Sequence, residues 1–404
     1  MARAITLRQD GTFDTPCDPI IPFAKGDGIG PEIWACARQV FDRAVAKAQG
    51  GRSVVWLEIA AGSNALEQYG DTLPKDSLDK IKTYHVAIKG PITTPVGRGI
   101  RSVNVALRQA LDLYACVRPI QYFSPAPSPV KQPELVDMVV FRENTEDVYC
   151  GLEWPVGSPE ACAIIALVSK LAKREIRQDS GIGIKPMSKF ASQRLVRMAI
   201  EYALKHNYPS VTLVHKGNIM KFTEGGFRAW GYELARDEFG DITLTEQELY
   251  EQHGGVLPSD KKLIIKDRIC DAMFQQVLLN PKDYSVLALP NLNGDYMSDA
   301  LAAQVGGLGL APGANIGQGV AVFEATHGSS PKDAGQNKVN PSAMILSGAM
   351  LFAYIGWEDV AESLRGAIAK AIATRHVTFD LAQQMPDSTQ VSLTDFTKII
   401  LDNL

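Results

Sequence analysis

Two carboxylates four residues apart, Asp295 and Asp299, stand out in the stretch NLNGDYMSD. The residues that follow, 300–304, predict a helix, and side chains at i and i+4 share one face of a helix. Asp271 offers a third carboxylate on a second predicted helix, 263–279. Carboxylates without a neighbouring histidine suit Mg²⁺ or Mn²⁺ rather than zinc. Acidic residues also suit helix starts because of the helix dipole, so the spacing alone leaves a purely structural role open.

Polar and cationic side chains form a second group. Ser102, Asn104 and Arg108 lie near one predicted helix start, whereas Arg118 and Arg142 each follow a predicted strand. Arginine binds carboxylates through two parallel hydrogen bonds, and a helix N-terminus adds further donors. Together these residues would suit a small ligand with several carboxylates. The alternative for any one arginine is an ordinary surface position, so the hypothesis requires a fold that brings them near the aspartates.

Tyr149 and Lys216 are candidates for proton transfer. Lys216 directly follows a predicted strand, and a desolvated lysine near a metal can act as a base close to neutral pH. Tyr149 follows the polar run RENTEDV. A packing tyrosine and a surface lysine are the alternatives when each residue is taken singly.

A glycine-bounded loop, HGSSPKDAG, could cradle a nucleotide. Its residues include His327, Gly328, Lys332 and Asp333, with Asn340 shortly after it. A second glycine cluster, GDGIG at 26–30, fails as a dinucleotide fingerprint because Pro31 stands where the last glycine is needed. That cluster predicts a tight strand-to-helix turn, so a Rossmann site is not expected.

Bulk composition narrows the class of protein. The 404 residues are 46% hydrophobic, which allows a large core and more than one domain. Lys and Arg number 41 against 45 acidic residues, so no broad basic surface for nucleic acid is expected. Six cysteines lack metal-site spacing, which favours reduced thiols in the cytoplasm. The sequence contains no apolar run of about 18 residues, so a membrane-spanning helix is not expected.

Strand-like and helix-like segments alternate along the chain, which predicts an α/β architecture. The predicted strands are 19–24, 54–60, 85–89, 136–141, 210–215 and 286–289. The predicted helices include one from 31, one ending at 83, and 104–111, 192–206, 225–239 and 263–279. Two loop-rich segments interrupt the alternation: 151–186, interpreted as a small inserted arm, and 306–319, interpreted as a glycine-rich wall or hinge.

These groups together resemble the isocitrate and isopropylmalate dehydrogenase family of metal-dependent β-decarboxylating dehydrogenases, and most of all its homodimeric bacterial isocitrate dehydrogenases. The resemblance runs from about residue 19 to the end. Its ordered motifs are KGPITTP at 89–95, RSVNVALRQ at 101–109, FRENTED at 141–147, KGNIMKFTE at 216–224, the segment 291–307 and ATHG at 325–328. Ser102 and Asn104 favour isocitrate, because isopropylmalate enzymes carry apolar groups there to meet an alkyl chain.

The resemblance implies oxidative decarboxylation of isocitrate to 2-oxoglutarate and CO₂, with Mg²⁺ or Mn²⁺ and hydride transfer to a nicotinamide. It assigns the substrate to Thr93, Ser102, Asn104, Arg108, Arg118 and Arg142, and the metal to Asp271, Asp295 and Asp299. It assigns the nicotinamide cofactor to Lys89, Thr94, His327, Gly328, Lys332, Asp333 and Asn340. Lys216 would assist deprotonation of the C2 hydroxyl, and Tyr149 would protonate the enol carbon.

The family's fold implies two domains, a clasp and a second subunit. A large α/β domain would comprise 1–113 and 306–404, a small α/β domain 114–146 and 189–305, and a clasp 147–188. In the family, the lysine and one metal aspartate come from the second subunit, so we expect a homodimer with shared active sites. We expect a cytoplasmic protein with no nucleic-acid or membrane partner.

For the cofactor, the sequence predicts NAD. The NADP-using relatives carry Lys-Tyr where Lys332 and Asp333 stand, and Tyr and Arg where Phe379 and Gln383 stand. The replaced tyrosines and arginine are ligands for a 2′-phosphate, so this chain lacks them. Asp333 adds a negative charge that repels a 2′-phosphate, and its carboxylate could accept hydrogen bonds from the ribose hydroxyls of NAD. Lys332 argues weakly for NADP. The alternatives are the same chemistry with NADP, the same chemistry on homoisocitrate or another 3-substituted malate, and a non-catalytic regulatory subunit.

Overall fold

The computed structural model describes residues 3–93 and 102–404. Within them the strands are β1 (Thr6–Leu7), β2 (Phe13–Asp14), β3 (Ile20–Ala24), β4 (Val55–Glu58), β5 (Val86–Lys89), β6 (Ala115–Gln121), β7 (Asp137–Glu143), β8 (Glu153–Trp154), β9 (Ile182–Gly183), β10 (Ser210–His215), β11 (Thr243–Thr245), β12 (Leu263–Ile269), β13 (Val286–Leu289), β14 (Pro312–Ile316), β15 (Ala321–Ala325), β16 (His376–Val377) and β17 (Thr389–Gln390).

The same residues form the helices α1 (Gly30–Lys47), α2 (Ser63–Tyr69), α3 (Lys75–Tyr84), α4 (Val103–Ala110), α5 (Pro159–Ala172), α6 (Lys189–Lys205), α7 (Glu224–Phe239), α8 (Glu246–His253), α9 (Cys270–Leu279), α10 (Asn291–Gln304), α11 (Ser342–Tyr354), α12 (Glu358–Ala373), α13 (Phe379–Ala382) and α14 (Leu393–Asp402). Among these described residues, no helix is both long enough and apolar enough to cross a bilayer.

One long mixed sheet organises the described chain. Its strand order is β11-β12-β10-β13-β7-β6-β14-β15-β5-β3-β4. The central strands β7, β6, β14 and β15 pair antiparallel, and the strands on either side of them pair parallel. Strands β5, β10 and β13 are buried along their whole length, as expected for parallel strands covered by helices on both faces. The predicted α/β class is therefore confirmed.

Hydrophobic packing joins the two ends of the chain. The largest core packs α1 against α11, α12 and α14, and draws its residues mainly from the first 90 and the last 95. A second core packs α6 and α7 on one side of β10 and β13, and a third packs α9 and α10 on the other side. The division at 1–113 with 306–404, 114–146 with 189–305, and 147–188 stays a prediction.

The glycine cluster at 26–30 forms the predicted tight turn between β3 and α1. Gly28 has a φ of +56°, and a Cβ there would lie 2.0 Å from the carbonyl oxygen of Ser329. The Ile29 amide donates to the same oxygen at 2.9 Å. Glycine is needed because only it tolerates this backbone angle and this close approach. The turn therefore anchors the loop that contains Ser329.

Several sequence-based assignments differ from the structure. The segment 151–186, interpreted as a loop-rich arm, contains the 14-residue helix α5. The predicted helix 263–279 is wrong: β12 comes first and α9 begins only at Cys270, because the run LIIKDRI pairs along its length with β10. Helix α10 begins at Asn291 rather than near residue 300, so its two aspartates lie within the helix. The segment 306–319 contains strand β14 at the centre of the sheet.

Candidate active site

A cavity of about 500 Å³ lies beside the central antiparallel strands. Most of the predicted site residues line it: Lys89, Thr93, Ser102, Asn104, Arg108, Arg118, Arg142, Tyr149, Asp295, His327 and Gly328. They come from β5, α4, β6, β7, α10 and the chain after β15, which are far apart in sequence. The sheet therefore converts scattered motifs into one polar pocket.

Three buried arginines give the pocket its charge. Arg118 and Arg142 lie within β6 and β7, not after strands as predicted, and Arg108 lies in the last turn of α4. Arg142 is only 1% exposed. The Nε atoms of Arg108 and Arg118 are enclosed and have no hydrogen-bond partner among the described residues. Since buried donors are normally paired, the pocket suits a ligand with several carboxylates.

Arg142 holds Asp295 and Tyr149 together. Its guanidinium forms an ion pair with Asp295, and its Nε and Nη2 donate to Asn291 Oδ1 at 2.9 and 2.7 Å. The Tyr149 ring packs 4.8 Å from the same guanidinium, and its hydroxyl donates to Asp295 Oδ2 at 2.6 Å. Burial and this hydrogen bond raise the pKa of Tyr149. The phenol therefore keeps its proton and can act as a donor.

The two aspartates of α10 have different electrostatic settings. Burial alone would raise the pKa of Asp295, but the Arg142 charge and the Tyr149 hydrogen bond hold it below its usual range. For Asp299, burial and the Asp295 charge raise the pKa despite Arg118 Nη1, which lies 3.3 Å from Oδ1. A cation between the two carboxylates would relieve this repulsion, which is the chemistry expected of oxygen ligands to Mg²⁺ or Mn²⁺.

Lys216 and Asp271 are not brought to this cavity. They form an ion pair with each other where β10 and α9 adjoin, and neither lines the pocket. Across residues 3–93 and 102–404, no group of three or more Asp, Glu, His or Cys side chains is arranged to hold a metal ion. A single chain therefore does not assemble the predicted trio with Asp295 and Asp299.

The predicted cofactor residues divide into two sets. His327 and Gly328 line the cavity; the His327 Nε2 atom is enclosed and has no hydrogen-bond partner in the part of the chain that the structure describes, and burial lowers the pKa of the ring. Lys332, Asp333 and Asn340 lie outside the lining, and Thr94 lies outside the described residues. Asn340 Nδ2 donates to Asp380 at 3.0 Å, and its Oδ1 accepts from the Ser342 amide at 2.9 Å. Its side chain thus supports the start of α11.

Glu324 is a pocket residue that the sequence reasoning missed. It forms an ion pair with Lys89, lies 3.3 Å from Arg108 Nη2, and accepts from Asn315 Nδ2 at 2.6 Å. Burial alone would raise its pKa, but the Lys89 and Arg108 charges hold it well below its usual range. A usable signal was present, since Glu324 is the one charged residue in the strand run AVFEA.

Asp27 was overlooked for a different reason. It lies in the glycine turn, and its carboxylate accepts from the backbone amides of Ser63 and Thr93, each at 2.8 Å. Thr93 Oγ1 in turn contacts Ser329 Oγ at 2.6 Å. Asp27 therefore fixes the position of the Thr93 backbone at the edge of the pocket. Its sequence position beside three glycines indicated only a turn.

The α/β fold and this anion-binding pocket define an enzyme class. The chain matches the family model described as isocitrate/isopropylmalate dehydrogenase over residues 20–400, and it belongs to that family. It is 54% identical to "Isocitrate dehydrogenase [NADP]" from Archaeoglobus fulgidus, covering 98% of this chain and 95% of that one. The Haloferax volcanii protein of the same name is 52% identical, with 99% and 96% covered.

A solved structure has the same architecture. The crystal structure of isocitrate dehydrogenase from Methylococcus capsulatus superimposes with a TM-score of 0.78 at 37% identity, covering 95% of this chain and 98% of that one. The family predicted from the sequence motifs is therefore confirmed, and so is the family's fold.

The prediction of NAD as cofactor is wrong. The relatives that are 50–54% identical over essentially the whole chain are named for NADP, which overturns an NAD-dependent isocitrate dehydrogenase. The structure shows why the electrostatic argument failed. Asp333 Oδ1 lies 2.8 Å from Lys338 Nζ, and its other oxygen accepts from Ser330 Oγ at 2.5 Å. Its charge is thus compensated locally by Lys338, five residues further along the chain.

Proposed function

We propose that this protein is an NADP-dependent isocitrate dehydrogenase that converts isocitrate to 2-oxoglutarate and CO₂ with a divalent cation. The observation that carries the proposal is the trio of buried arginines beside Asp295 and Tyr149. Isocitrate has three carboxylates, which match three guanidinium groups. Ser102 and Asn104, on the same cavity wall, would add hydrogen bonds; the enclosed Asn104 Oδ1 has no partner among the described residues.

The donor set fits a hard divalent ion. Asp295, Asp299 and the partner's Asp271 would hold Mg²⁺ or Mn²⁺, which when bound supplies Lewis-acid stabilisation of negative charge on the substrate oxygens. NADP, when bound, would supply the hydride acceptor for C2. The partner's Lys216 would take the proton of the C2 hydroxyl, and Tyr149 would return a proton to the carbon from which CO₂ departs.

The lysines near Asp333 support NADP. Lys332 and Lys338 lie in the same loop as Asp333, and Lys338 Nζ also lies 5.0 Å from the centre of the Phe379 ring. A lysine in this loop can bind a 2′-phosphate even where the tyrosine and arginine of other NADP enzymes are replaced.

A homodimer with shared sites is part of the proposal. Lys216 and Asp271 lie apart from their own chain's cavity, and a second chain could deliver them to it. Residues 147–188 and their neighbours expose an unusual set of apolar side chains. These are Val148, Leu152, Val156, Leu167, Val168, Leu171, Ile184 and Phe190. Such a patch is typical of a subunit interface.

Steady-state kinetics with isocitrate and Mn²⁺ test the activity and the cofactor together. We expect kcat/KM with NADP to exceed the value with NAD at least tenfold. Homoisocitrate and isopropylmalate serve as substrate comparators. No turnover of isocitrate with either cofactor, or faster turnover of a comparator, would refute the proposal.

The Lys338→Met variant tests the source of the cofactor preference. It removes the ion-pair partner of Asp333 and one positive charge from this loop, so kcat/KM for NADP should fall about tenfold while kcat/KM for NAD stays within twofold, a difference of ~1.4 kcal/mol. The control is Lys370→Met on α12, which should change neither value. Among the described residues, the Lys370 ammonium donates a hydrogen bond only to the Asn403 carbonyl. An equal loss with both cofactors would contradict the assigned role.

A further inference from the structure

Glu224 is the first residue of α7, and its side chain is completely buried. Its Oε2 accepts from the backbone amide of Lys216 at 2.6 Å and from Asn293 Nδ2 at 2.8 Å. Its Oε1 lies 2.9 Å from Lys185 Nζ. One carboxylate thus touches the loop after β10, the first turn of α10 and the chain that follows β9.

Two of the residues that Glu224 contacts, Lys216 and Asn293, belong to parts of the chain with different proposed roles. Lys216 carries the proposed base, and Asn293 is two residues before the proposed metal ligand Asp295. A carboxylate that is buried and receives several hydrogen bonds holds its partners rigidly, because each partner would otherwise lose a bond in a low-dielectric setting.

Neighbouring contacts restrict the same elements further. Gly217 packs so closely on Gly225 that a Cβ on Gly217 would lie 2.7 Å from the Gly225 Cα. On the other side, Lys185 also pairs with Asp147 at 2.5 Å, and Asp147 accepts from the Leu292 amide at 2.9 Å. Neither the loop nor the helix start can shift without disturbing Glu224 or its partners.

We propose that Glu224 is a positioning residue that couples the two active sites of the dimer. The inference rests on the shared sites of the proposed function, in which Lys216 serves the partner's pocket and Asp295 its own. Within one chain, Glu224 therefore aligns the base of one site and the metal-binding helix of the other. Losing this carboxylate in a single chain disturbs both sites.

Subunit hybrids test this link. Two differently tagged chains are co-expressed, one with Lys216→Met and the other with Tyr149→Phe, and the hybrid is isolated by sequential affinity steps. Shared sites leave it with one intact site, made by Tyr149 of the first chain and Lys216 of the second. Glu224→Gln is then placed in either chain. We expect kcat of the intact site to fall about tenfold in both arrangements, because small misplacements of reacting groups are costly.

Asn293→Ala separates positioning from a general loss of stability. It removes only the contact to α10, so it should lower kcat when it stands in the chain that supplies Tyr149 and leave kcat unchanged in the other. A merely structural effect would be equal in both arrangements, since the two hybrids contain the same substitutions in the same fold. Thermal unfolding of each hybrid checks that the fold is retained. Glu246→Gln, which removes a carboxylate from an ion pair with Arg268, is the control and should leave kcat unchanged.

Each outcome is decisive. No loss of kcat with Glu224→Gln, a loss in one arrangement alone, or an equal loss with Asn293→Ala in both arrangements would overturn the coupling while leaving the proposed function intact. A reference hybrid no more active than its two parents would instead refute the shared site, and the coupling with it. A loss in both arrangements with the Asn293→Ala asymmetry would establish it.

Discussion

Glu324 holds two cationic side chains of the pocket, Lys89 and Arg108, in place. Lys89 and Arg108 are themselves buried, and among their described partners Glu324 is the carboxylate that compensates them. Removing one partner from a buried ion pair is strongly destabilising, because the remaining charge is left without compensation in a poorly polarisable setting.

The Glu324→Gln variant should reveal this through the pH dependence of stability. The folded-state pKa lies below the ordinary value of 4.5, so the ion pair contributes fully above about pH 4.5. Its contribution is lost as the pH falls further, towards the folded-state pKa. The substitution should lower the free energy of unfolding at pH 7 by ~3 kcal/mol, and the difference from the unsubstituted protein should shrink below pH 4.5. Urea titrations between pH 7 and 3.5 measure it; a constant difference would contradict the assignment.

Helix α10 and strand β7 must approach each other closely for Arg142 to reach Asp295. Gly294 makes this possible, since a Cβ there would lie 2.6 Å from Arg142 Cγ and 2.7 Å from its Cβ. The contact fixes the height of the helix over the strand, and with it the separation of the carboxylate from the guanidinium. Which residue of this helix had to be small was not evident from the motif alone.

The Gly294→Ala variant should therefore separate the two elements. We expect a loss of about 1–3 kcal/mol in the free energy of unfolding, as for other overpacked sites, and at least a tenfold lower kcat. Gly366→Ala is the matched control, because Gly366 also lies in a helix, α12, and its Cβ would meet nothing within 4 Å. That variant should gain about 0.4–1 kcal/mol. Unfolding titrations and initial rates decide, and an active, undiminished Gly294→Ala protein would contradict the close-packing argument.

On the scale of the whole molecule, the proposed function requires a partner subunit. A single chain leaves Lys216 and Asp271 outside its own cavity, and exposes apolar residues on and around α5. If the dimer completes each site, activity must depend on association and therefore on protein concentration.

Leu171→Glu tests this dependence. Leu171 is 72% exposed on α5, and a charge there should weaken a dimer at least tenfold, or ~1.4 kcal/mol. In a dilution series, sedimentation should then show the 43.9 kDa monomer at about tenfold higher protein concentration than for the unsubstituted protein, and specific activity should fall over the same range. Leu66→Glu on α2, where Leu66 is 52% exposed, is the control and should leave both unchanged. Activity that is independent of association would refute the shared sites.

The family, the α/β class and the residue types of the pocket were predictable from the sequence, because ordered motifs and alternating apolar runs are local properties of a chain. It predicted β10 and β13 correctly but not β12, whose charged residues concealed its pairing with β10. It also gave no indication that Glu324 would join Lys89 and Arg108, since that contact links three distant segments.

How the charges compensate one another became evident from the folded chain alone. It separates Asp271 and Lys216 from Asp295, and it pairs Asp333 with Lys338, which weakens the part of the NAD prediction that rested on the Asp333 charge. The physical reason is that the effect of a charge depends on distance, burial and counter-charges, which packing sets and residue types alone do not.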